Sequence, residues 1–366
     1  MILLNYEKRT NNLVERVSGS FDCAMITSLP SLKYFFNYKG ESFERFCCGL
    51  VSIENSKTAL VVPKLDEAKT EKSSASNVLA WSDNEGYRGA FSKALAELGV
   101  RGAKFGCEDT TTFGMMQSVK NVTTAEFESV SSAISEMRLI KDEEEMEALR
   151  QSAKILGKVY KSIDRFLKVG IPECAVATSI KAALKDYGAD RTDFCAVQSG
   201  ANGAVPHQEV SERKVRKGDL VVVDISITGP SGYFADYTRT FSMGKPGKEQ
   251  SKVYEIVQRA QSSAISAAVE EAEAGKVDAA ARDIIESSGY GKYFFHRTGH
   301  GIGLEVHEAP WIRQSNEMKL RAGMAFTIEP GIYLAGKFGV RIEDNLLVEK
   351  SGTTNLTGLG HELVEL

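Results

Sequence analysis

VRKGDLVVVD at residues 215–224 and LRAGMAFTIE at residues 320–329 are two versions of one pattern. Each has a polar turn, a glycine (Gly218 or Gly323), an apolar run and, six residues past the glycine, an acid, Asp224 or Glu329. The likeness continues downstream, where Gly232 precedes Asp236 by four residues and Gly339 precedes Glu343 by the same four. The repeat predicts a duplicated β-hairpin built from LVVVDISI, FADYTRTF, MAFTIEPGIY and GVRIEDNLLVE, its halves paired about a pseudo-twofold axis.

The apolar runs Leu220–Val223 and Ala325–Ile328 have the character of interior strands. A carboxylate on a buried strand must find a partner, protonate or cost several kcal/mol, on the order of the penalty for an unpaired buried charge. Four acids converging across a pseudo-twofold repel one another unless cations neutralise them, and two divalent ions carry the required charge. A neutral imidazole adds a ligand without disturbing that balance.

Three of the chain's five histidines fall in HRTGHGIGLEVHEAP, residues 296–310. The spacing of His296, His300 and His307 would stack them on one helix face. Gly299, Gly301 and Gly303 argue against a helix, at about 1 kcal/mol each relative to Ala. The spacing is also neither G-x-G-x-x-G nor H-E-x-x-H. An extended or looping segment remains, with glycines allowing close backbone approach and side chains projecting into a site. His300 is then the nitrogen ligand beside Asp224, Asp236, Glu329 and Glu343. This set favours Mn or Co, with Fe or Zn also compatible, over a thiolate zinc site. Two such ions share a bridging water and lower its pKa toward neutrality, so that the resulting hydroxide attacks a polarised carbonyl. A neighbouring carboxylate shuttles the proton, while His207, in GANGAVPHQ, and His307 suit the binding of a tetrahedral intermediate. His296 joins them, and His361 looks unrelated.

A length of 366 residues suits about two domains. The net charge of -4 offers no basic patch for nucleic acid, and the opening MILLNYEKRT is too short an apolar run for a signal peptide or membrane span. Cys23, Cys47, Cys48, Cys107, Cys174 and Cys195 show no C-x-x-C spacing, as expected of reduced thiols in a cytoplasmic protein. Residues 1–130 read as an α/β scaffold domain: CAMITS, PSLKYFF, FCCGLVSI, TALVVP and the helix FSKALAELG ending at Gly99. Residues 131–366 form the second domain. Its first helix starts at the acidic run Asp142–Glu145; Leu149, Ala153, Leu156, Tyr160, Ile163 and Leu167 carry it to Gly170 and Pro172. A second runs from about Gln250 to Gly275, with Val253, Val257, Ala260, Ala264 and Ala267 on one face. A third extends from Asp278, an N-cap candidate, to Gly289.

Through GANGAVPHQ, VVVDISITGPSGYFADYTRTF, FFHRTGHGIGLEVHEAP, TIEPGIY and VRIED, the chain resembles the pita-bread metallopeptidases, which include methionine aminopeptidase, aminopeptidase P and prolidase. The resemblance covers residues 135–366. It implies an α+β catalytic domain with duplicated hairpins and flanking helices. By that resemblance Asp224 holds one ion, His300 and Glu329 the other, and Asp236 and Glu343 bridge them, while Glu329 also handles the proton. His207 and His307 match substrate and transition-state histidines, His296 an accessory histidine of proline-specific members, and Arg341 a supporting arginine. Two departures stand out: the Asp224 to Asp236 hairpin is one residue longer than usual, and Ser226 replaces a common glycine. A changed loop and an intact site are expected.

Residues 1–130 resemble, more weakly, the N-terminal domain of prolidases, creatinases and aminopeptidases P, which implies a homodimer. The function implied is metal-dependent hydrolysis of the bond before proline, in Xaa-Pro dipeptides. Aminopeptidase P activity on longer peptides is the close rival; a catalytically inactive binding module and a creatinase-like hydrolase of a non-peptide C–N bond are more distant ones. The expected substrate is a small peptide with proline second, with no nucleic acid or membrane partner.

Overall fold

The computed structural model describes residues 4–40, 43–101 and 104–366, divided into two compact units between Arg138 and Leu139. In the N-terminal unit, six strands run in the order Asn77–Trp81, Thr58–Pro63, Cys48–Ser52, Cys23–Ile26, Lys104–Cys107, Glu126–Ser129. Cys48–Ser52 pairs antiparallel with both its neighbours; the other three pairings are parallel. Met25, Leu50, Val61, Phe91 and Phe105 are buried together in its core. PSLKYFF lies in a helix, Leu29–Phe36, whose start is closed by the buried carboxylate of Glu108. Glu108 accepts from the amides of Thr27 (2.6 Å) and Ser28 (2.8 Å), a favourable anion position at a helix N-terminus.

In the C-terminal unit the first helix, Glu143–Tyr160, begins as its acids predict. Asp142 accepts from the Glu145 amide (2.9 Å), and Glu145 returns to the Asp142 amide (3.0 Å). It ends ten residues before Gly170, however. The Ser162 hydroxyl bonds the carbonyls of Lys158 and Val159, competing with the next turn, and a short 3-10 segment, Ile163–Arg165, follows. Ile163 and Leu167 are buried all the same, which is why their periodicity resembles helix. The second helix, Lys248–Ala267, stops short of Gly275 because the backbone of residues 271–275 turns to pair with 316–320. The third, Ala274–Ser287, starts before Asp278. Asp278 is therefore no N-cap but a fully buried interior residue, gripped by Arg282 at 2.8 and 2.9 Å.

The first hairpin is continuous. Leu220–Thr228 pairs antiparallel with Phe234–Ser242 from Leu220 opposite Ser242 to Thr228 opposite Phe234. Arg191–Ser199 covers its other edge, with a register shift between Thr192 and Phe194. The second hairpin is interrupted. Ala325–Ile328 pairs with Asp344–Glu349, and Gly331–Leu334 with Phe338–Arg341. One register, Ile328 opposite Asp344 and Gly331 opposite Arg341, spans the gap and sets Glu329 opposite Glu343. Pro330 sits in that gap and has no N–H to give a ladder. The glycine-rich stretch forms a short strand, Gly299–Gly301, between Glu308–Ile312 and Ala325–Ile328. A β-carbon on Gly299 would collide with the Thr327 carbonyl, and one on Gly301 with that of Ala309. The glycines serve close approach of backbones. Among the described residues, no helix is long and apolar enough to cross a membrane.

Candidate metal centre

Asp236, His300 and Glu343, all buried, each present one ligand atom, and these atoms lie within 4.8 Å of one another. Glu329 adjoins the group, its Oε1 lying 3.3 Å from His300 Nε2. Asp224 enters through Arg341, which donates to its Oδ2 at 2.5 Å and to Thr238 Oγ1 at 3.2 Å; Thr238 Oγ1 in turn donates to Glu343 Oε2 at 2.6 Å. The five residues come from the first hairpin, the glycine strand and the gap of the second hairpin. The Tyr160 hydroxyl lies against the carbonyls of Val223 and Tyr237, fixing the backbone beside both acids of the first hairpin.

The electrostatics are those of crowded acids. Burial, then the charges of Asp224 and Glu329, raise the carboxyl of Asp236 well above the usual range. Burial and then Asp236, Glu329 and Asp224 do the same to Glu343. Burial pushes Glu329 up to about 7 against the pull of Arg341. Burial drives His300 well below its ordinary value, and His307 lowers it further. The histidine is thus a neutral nitrogen donor, while the acids cannot all ionise without added positive charge. Asp236 Oδ1 is buried and has no hydrogen-bond partner. An unpartnered carboxylate oxygen among crowded acids and a neutral imidazole fits divalent cations, as the donor set does.

The other predicted residues surround this cluster. His307 is exposed, with its ring centroid 4.1 Å from that of His300. Burial, Arg297 and His207 lower its pKa. His296 is partly buried, and burial first of all brings it down to about 4; its Nε2 lies 2.9 Å from the Tyr333 hydroxyl. Tyr333 also accepts from Arg341 at 3.1 Å, so His296, Tyr333, Arg341 and Asp224 form one chain of contacts. His207 follows the 3-10 turn Gly200–Ala204, is exposed, and acts electrostatically on both His296 and His307.

Several supporting residues escape a reading of spacing. Tyr333, Thr238, Thr327 and Asn345 act through tertiary bonds: Thr327 Oγ1 accepts from the His300 amide (3.1 Å), and Asn345 pairs with both the amide (3.0 Å) and the carbonyl (2.8 Å) of Asp236. Asp278 reaches the site from its helix, accepting from the Thr298 amide and hydroxyl at 3.1 and 2.7 Å. His361 is not isolated. Its Nε2 lies 2.5 Å from Asp344 Oδ2, beside Glu343. Burial alone would raise the Asp344 carboxyl, but Arg239 and His361 outweigh it and hold it below the usual range. The only signal for His361 is its place after Asp344 at the end of the same β-rich segment, which is too weak to act on.

With this geometry in place, comparison with known proteins gives the lineage. Residues 147–350 match metallopeptidase family M24, and residues 12–140 match the creatinase/prolidase N-terminal domain. The chain belongs to metallopeptidase family M24. Its architecture is a C-terminal pita-bread domain with an N-terminal creatinase-type α/β domain. It is 37% identical over 349 residues to the probable dipeptidase PepE of Mycobacterium tuberculosis, covering 93% of this chain and 91% of that one. It is 35% identical over 348 residues to the Xaa-Pro dipeptidase of Pyrococcus horikoshii, covering 94% and 95%. The crystal structure of a recombinant prolidase from Thermococcus sibiricus superposes with a TM-score of 0.93 at 37% identity, covering 100% of both chains.

Proposed function

We propose that this chain is a dipeptidase that cleaves the bond before proline in Xaa-Pro dipeptides, with two divalent cations held by Asp224, Asp236, His300, Glu329 and Glu343. The observation that carries the reading is the buried convergence of acids with Asp236 Oδ1 unpartnered, in a chain of this family. The names of its dipeptidase and prolidase relatives support the substrate class. Following the family pattern, Asp224 serves one cation, His300 and Glu329 the other, and Asp236 and Glu343 both. Mn or Co suits this oxygen-rich set, with Fe or Zn also compatible. When bound, the cations supply a Lewis acid for the scissile carbonyl and an activated water.

The remaining work falls to side chains. Glu329, whose Oε1 lies 3.3 Å from His300 Nε2, takes a proton and returns it to the departing proline nitrogen. His207 and His307, at the exposed edge, donate hydrogen bonds to the oxygen that gains charge as the carbonyl is attacked. His296, held by Tyr333, orients the peptide, and Arg341 fixes Asp224. Catalysis is assigned in this proposal to residues 131–366 and a scaffold role to residues 1–130. The working form is a cytoplasmic homodimer.

Assays of chelator-stripped protein reloaded with Mn or Co test the proposal, using Xaa-Pro dipeptides beside tripeptides and longer Xaa-Pro peptides. Turnover confined to dipeptides supports it. Strong turnover of long peptides with neglect of dipeptides would replace it by an aminopeptidase P, and a protein that stays empty and inert would make it a binding module. Sedimentation analysis of the full chain tests the dimer.

A further inference from the structure

Ser226 is a buried polar residue of the first hairpin. It lies two residues after Asp224 on the same strand, so both side chains leave the same face. Across the hairpin its register partner is Asp236. Ser226 is 2% exposed and its hydroxyl has no hydrogen-bond partner, as Asp236 Oδ1 has none. A buried donor and a buried acceptor, both unsatisfied, thus face each other across one rung, where β-carbons are typically about 4.5–5.5 Å apart. Among the described residues, no other unpartnered side-chain hydroxyl lies opposite one of the five acid and histidine positions. Two rungs along, Thr238, opposite Asp224, shows a hydroxyl in such use: it donates to Glu343, which faces it across an isolated bridge to the second hairpin.

We propose that Ser226 is a positioning residue of the metal centre, its hydroxyl donating to the carboxylate of Asp236 across the hairpin, as that of Thr238 donates to Glu343. The inference rests on the ligand assignment above. A hydrogen bond of this kind orients a ligand and raises its affinity for the cation.

The test compares full-length wild type, Ser226→Ala, Ser226→Gly and Ser226→Thr after chelator stripping. Calorimetric titration with Mn²⁺ should show two equivalents bound by the wild type and about tenfold weaker affinity in Ser226→Ala and Ser226→Gly. Restoration of affinity in Ser226→Thr is the expected rescue. Visible absorption bands of the Co²⁺-loaded protein should shift in the alanine variant, while the Tm of stripped Ser226→Ala should not fall below that of stripped wild type. Wild-type affinity and an unshifted spectrum in Ser226→Ala would overturn the inference alone. So would a lowered Tm of the stripped variant, which would mark a structural role. A wild type that binds no cation would overturn the ligand assignment and this inference together.

Discussion

The two hairpins that supply the acids share a sequence pattern but not a geometry. The first keeps every rung, with its acids two rungs apart in the pairing, Asp224 opposite Thr238 and Asp236 opposite Ser226. The second loses its ladder where its acids lie, so Glu329 and Glu343 face each other directly. The amides released by that gap bond elsewhere, Glu329 to the Thr298 carbonyl at 2.7 Å and Glu343 to the Thr238 carbonyl at 3.0 Å. The continuous hairpin is thus a rigid platform, whereas the broken one lends its backbone to neighbours and locks the glycine strand and the first hairpin into one assembly.

The largest expected effect breaks both hairpins' contribution at once. Asp236→Ala in the first and Glu343→Ala in the second should each release both cations and cut turnover on the order of 10⁴-fold, as for removal of one member of a catalytic unit. Metal analysis beside the assay checks this, and retention of one cation in either variant would show that the acid is not shared. Next, Arg341→Met removes the bond that ties the gap region to Asp224, leaving a partly buried carboxylate without its cation. The expected loss is about 3–5 kcal/mol in urea unfolding of the stripped protein. His207→Ala touches neither hairpin: it should spare metal content and lower kcat/KM about 10²-fold. Metal loss equal to that of Glu343→Ala would reassign the histidine.

Removing the cations should make stability depend on pH in a direction opposite to that of an ordinary salt-bridged carboxylate. Glu343, Asp236 and Glu329 have folded pKa values above their unfolded ones, so the folded chain holds more protons. Their contribution is full near pH 4 and below, and is lost as pH climbs through the folded value of about 7 for Glu329. The Tm of stripped protein should therefore fall between pH 5 and pH 8, and saturating Mn²⁺ should raise it more at pH 8. An equal increase at both would contradict the crowding. The smallest effect is His361→Ala, about 1 kcal/mol, because Asp344 keeps Arg239, Gln261 and Asn355.

The duplicated acids were legible because their chemistry is local. A turn glycine at a fixed offset from a carboxylate after an apolar run reports both a strand and its exception. Burial of the second helix's face was legible too, through Val253, Val257, Ala260 and Ala264. Helix ends were not. Ile163 and Leu167 are buried beyond the end of the first helix, and periodicity cannot distinguish a helix from a 3-10 turn packed on the same core. Asp278 mimics an N-cap in sequence because an acid before an apolar helix does so by composition; only Arg282 and Thr298, brought in by the fold, reveal its interior role. Tyr333, Thr238 and Asn345 were invisible because their partners are distant in the chain.

The tight backbone contacts at Gly299 and Gly301 also forecast which sequences this enzyme can drift toward. Any side chain at either position would drive a carbonyl of the adjoining strand away from His300, so variation there is closed. Gly336, by contrast, tops an open turn with nothing near its would-be β-carbon. A residue inserted at that turn should be tolerated, while a side chain at Gly299 or Gly301 should not.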